Sequence, residues 1–212
     1  QIFGTTEVWK YDTTSNTWSA GPSLPEQRAG GGLVRVGRSL YYFGGQDITR
    51  TRETPDMWSM DLDNPSAGWT RRASMLQSRN HVTAVEVNGR IYSLGGQTGV
   101  DGGLTAFDDI QIYNPATNTW TLAAQRLPAV RSHTSHSTFV HGGQIYMLGG
   151  ENAHNRTVSS VWRIDPTTLT TTTLSPMPDA RMSAAAVMIN NVLHLVGGYS
   201  GQIRTASYRG VF

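Results

Sequence analysis

Four arginines recur at nearly even intervals along this chain of 212 residues: Arg28, Arg79, Arg131 and Arg181. A guanidinium offers five N–H donors in a planar fork and stays charged. Arginines gathered on one surface would therefore bind carboxylates through paired, charge-assisted hydrogen bonds. Among the 17 basic side chains Lys10 is the single lysine, which favours this planar recognition over diffuse attraction. Glu26 and Asp179 stand two residues before Arg28 and Arg181, whereas Gln77 and Ala129 hold that place before Arg79 and Arg131. If acids close in sequence pair with their arginines, Arg79 and Arg131 keep donors free for a ligand. The competing role is structural: each guanidinium would bond carbonyls or a carboxylate of a neighbouring element, and its removal would weaken the fold.

Other residues offer less chemistry. The chain has six histidines, but His133 and His136 are three apart on an expected strand, which sends them to opposite faces. No set of His, Asp and Glu has metal-ligand spacing, so no metal is expected. His81 reads as a polar contributor near Arg79. Asp61-Leu62-Asp63-Asn64 lacks the glycine and distal glutamate of a calcium loop and reads as a turn. There is no phosphate-binding Gly-Lys-Ser/Thr, no Gly-x-Ser-x-Gly and no His-Glu-x-x-His, and no cofactor is expected. The absence of cysteine removes thiolate nucleophiles, disulfides and thiolate metal sites. A net charge of +2 gives no reason to expect nucleic acid. The longest apolar runs, such as 184–189, are far too short to span a membrane as a helix.

The elements that must position the arginines repeat with them. A short apolar strand ends in two glycines four times: Tyr41-Tyr42-Phe43-Gly44-Gly45, Ile91-Tyr92-Ser93-Leu94-Gly95-Gly96, Ile145-Tyr146-Met147-Leu148-Gly149-Gly150 and Leu193-His194-Leu195-Val196-Gly197-Gly198. The pairs are 51, 54 and 48 positions apart, and the preceding arginine lies 16, 16, 18 and 16 residues before each. A strand ending in Asp or Asn comes after the first three pairs: Met57 to Asp61, Ile110 to Asn114 and Val161 to Asp165. Val8-Trp9-Lys10-Tyr11-Asp12 has the same form. A turn then leads to Trp18, Trp69 or Trp120; in the third repeat the same count reaches Thr171. Asn88-Gly89 between two apolar strands is a two-residue hairpin turn with positive φ twice. No helical periodicity appears, so the chain is expected to be all-β and built of four-stranded units.

This combination of Arg, strand, Gly-Gly, aromatic strand and Asn-Pro-x-Thr-Asn-Thr-Trp resembles the Kelch-repeat β-propellers over essentially the whole chain. The resemblance implies four-stranded antiparallel blades, with full repeats at 29–79, 80–131 and 132–181. An outer half-blade at 1–28 precedes them and an inner half-blade at 182–212 comes after. Since six or seven blades are common in the family, the chain is expected to be part of a longer ring. A closed four-bladed ring would instead pair the strand at 8–11 with the strand at 192–196. Each Trp would be a wedge between blades, with Trp162, Leu169, Leu174 or Met177 filling the space beside Thr171.

The resemblance also places Arg28, Arg79, Arg131 and Arg181 at the channel mouth, because in Kelch adaptors of ubiquitin ligases matching arginines bind acidic peptide motifs. Asn80, His81, Ser132 and Glu151 complete the expected site, ringed by the loops 46–56, 97–109, 151–159 and 199–206. The implied function is binding of an anionic peptide or protein. Two alternatives stand beside it. One is an enzyme acting on a carboxylated sugar, as the bacterial sialate mutarotases do, with Arg79 or Arg131 and Glu151 or Asp101. The other is a structural module of a larger protein. The copper oxidases and iron-dependent specifier proteins of similar fold are excluded, the first by the lack of cysteine and the second by the lack of a Glu-x-x-x-Asp-x-x-x-His site.

Overall fold

The structure, a computed structural model, describes residues 4–211. Residues 1–3 and 212, the ends of the two expected half-blades, lie outside the described residues. Strands β1 (Trp9–Asp12) and β2 (Thr17–Ala20) form a two-stranded sheet. The first four-stranded sheet is a meander of β3 (Gly32–Val36), β4 (Ser39–Phe43), β5 (Met57–Asp61) and β6 (Trp69–Arg72). The second consists of β7 (Val85–Val87), β8 (Arg90–Leu94), β11 (Asp109–Asn114) and β12 (Thr119–Arg126). A small hairpin of β9 (Gln97–Thr98) and β10 (Thr105–Ala106) lies in its loop. The third contains β13 (Thr138–His141), β14 (Gln144–Leu148), β15 (Val161–Ile164) and β16 (Thr171–Leu174). The last is a three-stranded sheet of β17 (Ala185–Ile189), β18 (Val192–Val196) and β19 (Ser207–Gly210). All pairings are antiparallel. The architecture is the expected all-β propeller of three whole blades between two partial ones. Among the described residues β1 pairs with β2 alone and β18 lies between β17 and β19, so no clasp joins the first strand to the last sheet.

The middle strands β5, β8 and β14 are largely apolar and buried along their length because both of their faces are covered. In β8, Ile91 enters a core shared with the first sheet (Tyr41, Phe43, Met57), whereas Tyr92 and Leu94 enter one shared with the third (Ile145, Met147, Ile164). In β14, Tyr146 and Leu148 turn the other way, toward Ala184 and Leu195 of the last sheet. The period of two thus distributes each strand between two interfaces. The Asn88-Gly89 turn has the expected positive φ at both residues, 51° and 75°.

The glycine pairs are required by close approach. A Cβ on the second glycine, at Gly45, Gly96, Gly150 or Gly198, would press on the carbonyl of the residue just after the repeat's arginine (Ala29, Asn80, Ser132 or Met182). All four adopt φ between 90° and 100°, which glycine tolerates at little cost.

Two of the three expected tryptophan wedges join neighbouring sheets, whereas Trp18 is 66% exposed on β2. Trp120 is buried against Phe43 and Tyr113 and donates its indole N–H to the Ala73 carbonyl at 3.0 Å; Trp69 does the same to Pro22 at 2.9 Å. In the third sheet Leu169 supplies the missing bulk, packing with Leu127 and Trp162 in the core between the second and third sheets. It does so with φ of 59°, at the turn position that Asn16 and Asn118 occupy with φ of 55° and 53°. Met177 and Leu174 belong to the next interface. Among the described residues no helix is long and apolar enough to cross a membrane.

Candidate functional site

The repeat arginines are struts between sheets. The Arg79 carbonyl accepts the Gly45 amide of the first sheet at 2.8 Å. Its guanidinium meets the second sheet, donating to the Gly95 carbonyl at 2.6 Å and to both oxygens of Asp109 at 2.6 and 2.9 Å. The Arg131 and Arg181 carbonyls likewise hold the amides of Gly96 and Gly150. Arg181 forks onto Asp179 at 2.7 and 2.8 Å and reaches the Gly197 carbonyl at 2.7 Å; Arg28 pairs with Glu26 at 2.5 Å and Asp56 at 3.3 Å. Each guanidinium lies over an aromatic ring: Trp58, Phe107, Trp162 and Tyr208 for Arg28, Arg79, Arg131 and Arg181, at 5.1, 4.7, 4.2 and 4.8 Å.

This corrects the expectation of solvent-facing guanidiniums. Arg28, Arg79, Arg131 and Arg181 are 6%, 0%, 3% and 1% exposed, and their side chains stand in the walls between sheets. Arg79 is not free either. Its carboxylate comes from Asp109, at the start of β11, and not from the two-residues-earlier place; Gln77 there adds an acceptor at 3.1 Å.

The segments just after the four arginines gather round one cavity, the candidate mouth. The next residue (Ala29, Asn80, Ser132 or Met182) bridges to the residue after the glycine pair (Gln46, Gln97, Glu151 or Tyr199). The one after that (Gly30, His81, His133 or Ser183) adopts left-handed backbone, with φ of 67°, 49°, 59° and 54°. These turns line a cavity of about 400 Å³ with Gly31, Leu33, Val82, Ala84 and His136. His133 and His136 were expected on a strand with opposite faces; they lie in a turn before β13 and line the same cavity.

Of the expected site residues, the mouth brings together Asn80, His81, Ser132 and Glu151. The His81 and His133 rings stack with centroids 3.9 Å apart. His133 Nδ1 lies 3.0 Å from a Glu151 oxygen, and the Asn155 amide donates to the other at 3.0 Å. Burial, and then the neighbouring His133, push the His81 imidazole down to about 4. At Glu151, burial alone would raise the carboxyl, but the hydrogen bond and charge of His133 and the Asn155 amide hold it below its ordinary value. Glu53 ties two repeats together, accepting from Asn80 Nδ2 at 2.8 Å, the Gly99 amide at 2.9 Å and Gln46 Nε2 at 3.1 Å. His133 and Glu53 were missed in the sequence, although His133 stands at the same offset from Arg131 as His81 from Arg79.

The loops after the glycine pairs interlock on this face. Arg50 approaches Asp101 at 3.9 Å, and Thr157 and Ser200 share a hydrogen bond of 2.8 Å. Among the described residues no group of three or more His, Cys, Asp and Glu could hold a metal ion. A larger cavity of about 690 Å³ lies away from the mouth. It is lined by Tyr146, Leu148, Met177, Leu195 and Tyr208, beside the outer edge of the three-stranded sheet.

The KLHDC2/KLHL20/DRC7 Kelch-repeats domain matches residues 3–200 of the chain. The chain belongs to the Kelch-repeat family. It is 27% identical over 203 residues to Kelch-like protein 25 of Xenopus tropicalis, covering 93% of the chain and 33% of that protein. It is 33% identical over 133 residues to N-acetylneuraminate epimerase of Haemophilus influenzae (strain PittEE), covering 62% of the chain and 33% of the epimerase. The solved structure of YjhT superposes with a TM-score of 0.78 at 20% identity, over 89% of this chain and 64% of that one, and shares the fold. The chain therefore spans about a third of the length of these two curated relatives.

Proposed function

We propose that this Kelch-repeat chain is a protein-binding propeller module whose mouth face takes an acidic polypeptide segment. The observation that carries the reading is an imbalance in which charges are already engaged. Most acids of the mouth are occupied: Glu53 by Asn80, Gly99 and Gln46, Glu151 by His133 and Asn155, and Asp47 by Thr49, while the exposed Asp101 faces Arg50 at 3.9 Å. Arg52 and Arg156, on the same loops, are exposed and make no side-chain hydrogen bond or ion pair among the described residues. The chemistry left for a partner is cationic, and Ile48 and Ile203, 46% and 81% exposed on the rim, add apolar anchors. Asn80, His81 and Ser132 supply polar contacts, and Arg28, Arg79, Arg131 and Arg181 hold the frame that fixes them. Kelch-like relatives support a protein partner.

Selection of a random peptide library on the immobilised protein tests this. Peptides rich in Asp and Glu with an apolar residue nearby are expected, and the Arg52→Glu/Arg156→Glu double variant should lose that enrichment. Enrichment without acidic bias, or unchanged by the double variant, would overturn the reading.

A second reading, an enzyme acting on a carboxylated sugar, is favoured by the Glu151–His133 pair beside the mouth cavity and by the similarity to N-acetylneuraminate epimerase. Exchange spectroscopy of the anomers of N-acetylneuraminate would reveal it as interconversion that is accelerated by the protein and lost in Glu151→Gln.

A further inference from the structure

The third sheet contains a buried guanidinium that no carboxylate of the described chain neutralises. Backbone register makes the comparison between sheets direct. The first glycine of each pair donates to one carbonyl on the third strand or just before it: Gly44 to Asp56, Gly95 to Asp109 and Gly149 to Ser160, each at 3.0 Å. The side chain at that place is Asp, Asp and then Ser. The other acid-bearing place, two residues before the arginine, holds Glu26, Gln77, Ala129 and Asp179. Arg131 alone of the four lacks an acid at both.

Its hydrogen bonding reflects this. Nη2 donates to Ser160 Oγ at 3.0 Å, whereas Nε and Nη1 are buried without a partner in the protein. Nε is also unbonded in Arg28 and Arg79, but in those residues Nη1 is bonded. Trp162 covers one face of the guanidinium at 4.2 Å, and the residue is 3% exposed. A charge so placed needs a counter-charge or carries a desolvation penalty. Burial pushes its pKa down to about 10, in keeping with a cation poorly compensated by its surroundings.

We propose that Arg131 holds a small monovalent anion, chloride in ordinary salt solution, in the place that the Asp109 carboxylate occupies beside Arg79. Serine is shorter than aspartate by a carbon and an oxygen, and Nη1, which Asp109 engages in Arg79, is free in Arg131 to donate to an ion that takes that space. Burial selects by size. A peptide carboxylate or a sugar acid does not reach a side chain enclosed between two sheets, whereas a monatomic ion passes during small openings. The site is separate from the mouth and does not depend on the partner proposed there.

The test is thermal unfolding of the whole chain in sodium chloride, sodium bromide and sodium gluconate at matched ionic strength. An ion that binds only the folded state raises the midpoint with concentration. The midpoint is expected to climb and level off with chloride and bromide but not with gluconate. Ser160→Asp, which supplies the carboxylate covalently, should melt higher than the parent in gluconate and lose the halide response. Should Ser160→Asp fail to fold, Ala129→Asp rebuilds the Asp179–Arg181 arrangement and serves the same purpose. Crystals soaked in bromide should give an anomalous peak within hydrogen-bonding distance of Arg131 Nη1. No halide response in the parent, an equal response in the acid variant, or a bromide peak only elsewhere would overturn the proposal.

Discussion

Arg79 and Asp109 form a two-pronged ion pair with both side chains almost wholly enclosed, 0% and 1% exposed, inside the second sheet. Removing one partner leaves the other charged and dry, which costs about 3–5 kcal/mol in buried pairs. Arg79→Met is therefore expected to be severely destabilised in urea unfolding. Arg131→Met, measured in halide-free buffer, should lose much less, since no carboxylate is orphaned. Equal losses would mean that stacking on Phe107 and Trp162 matters more than charge pairing.

Leu169 holds left-handed backbone in order to reach the core beside Leu127. A non-glycine residue there is strained by about 1–2 kcal/mol, which its burial must offset. Leu169→Ala should lose about 2 kcal/mol or more, and Thr171→Ala clearly less, because Thr171 is only partly buried on β16. The double change Leu169→Asn/Thr171→Trp restores the arrangement of Asn118 and Trp120 and should be more stable than Leu169→Asn alone. If Thr171→Trp instead adds to the loss, the third interface is packed differently from the second.

How far the sequence discloses this molecule depends on whether a contact repeats. The strands, the hairpin at Asn88-Gly89 and the glycine pairs recur at fixed offsets, and each obeys a local rule of φ or alternation. The partner of Arg79 does not. Asp109 is 30 residues away, and its distance from Gly95 differs from that of Asp56 from Gly44 because the intervening loops differ in length. A rule that pairs each arginine with its nearest acid therefore finds Asp179 and Glu26 and misses Asp109. The mouth was half legible: His81 and His133 share an offset from their arginines. Their conformation, two histidines at positions held elsewhere by Gly30 and Ser183 with positive φ, gives no periodic signal in residue type.

His81 couples folding to pH. Its imidazole titrates at about 4 in the folded chain against an ordinary value of 6.5, so between these values the unfolded chain binds a proton that the folded one refuses. The resulting stability is fully present above pH 6.5 and is lost as pH falls toward 4. The loss is on the order of 3 kcal/mol at most. Glu151, held below its ordinary value, adds a loss of the same sign at still lower pH. His81→Asn keeps a residue that accepts left-handed backbone and should flatten the decline between pH 6.5 and 4, read from melting temperature across the range. A decline unchanged in this variant would place the acid sensitivity elsewhere.

Glu53 is the residue through which one mouth loop fixes the next. A single oxygen accepts from Gln46, Asn80 and the Gly99 amide, so its loss leaves at least two inward-facing donors without partners, at about 1–3 kcal/mol for each buried group. The effect should be local. The carboxylate closes no sheet, and the strands on either side are held by their own ladders. In Glu53→Ala, amide exchange at Gly99 and through 97–106 is expected to quicken by at least tenfold while the core strands β4 and β8 keep their protection. Glu53→Gln, which retains one acceptor oxygen, should fall between the variant and the parent. If the mouth is the binding face, Glu53→Ala also weakens capture of the selected acidic peptides, even though Glu53 itself carries the wrong charge to attract them. Unaltered exchange at Gly99 would show that the hairpin of β9 and β10 holds its shape without this contact.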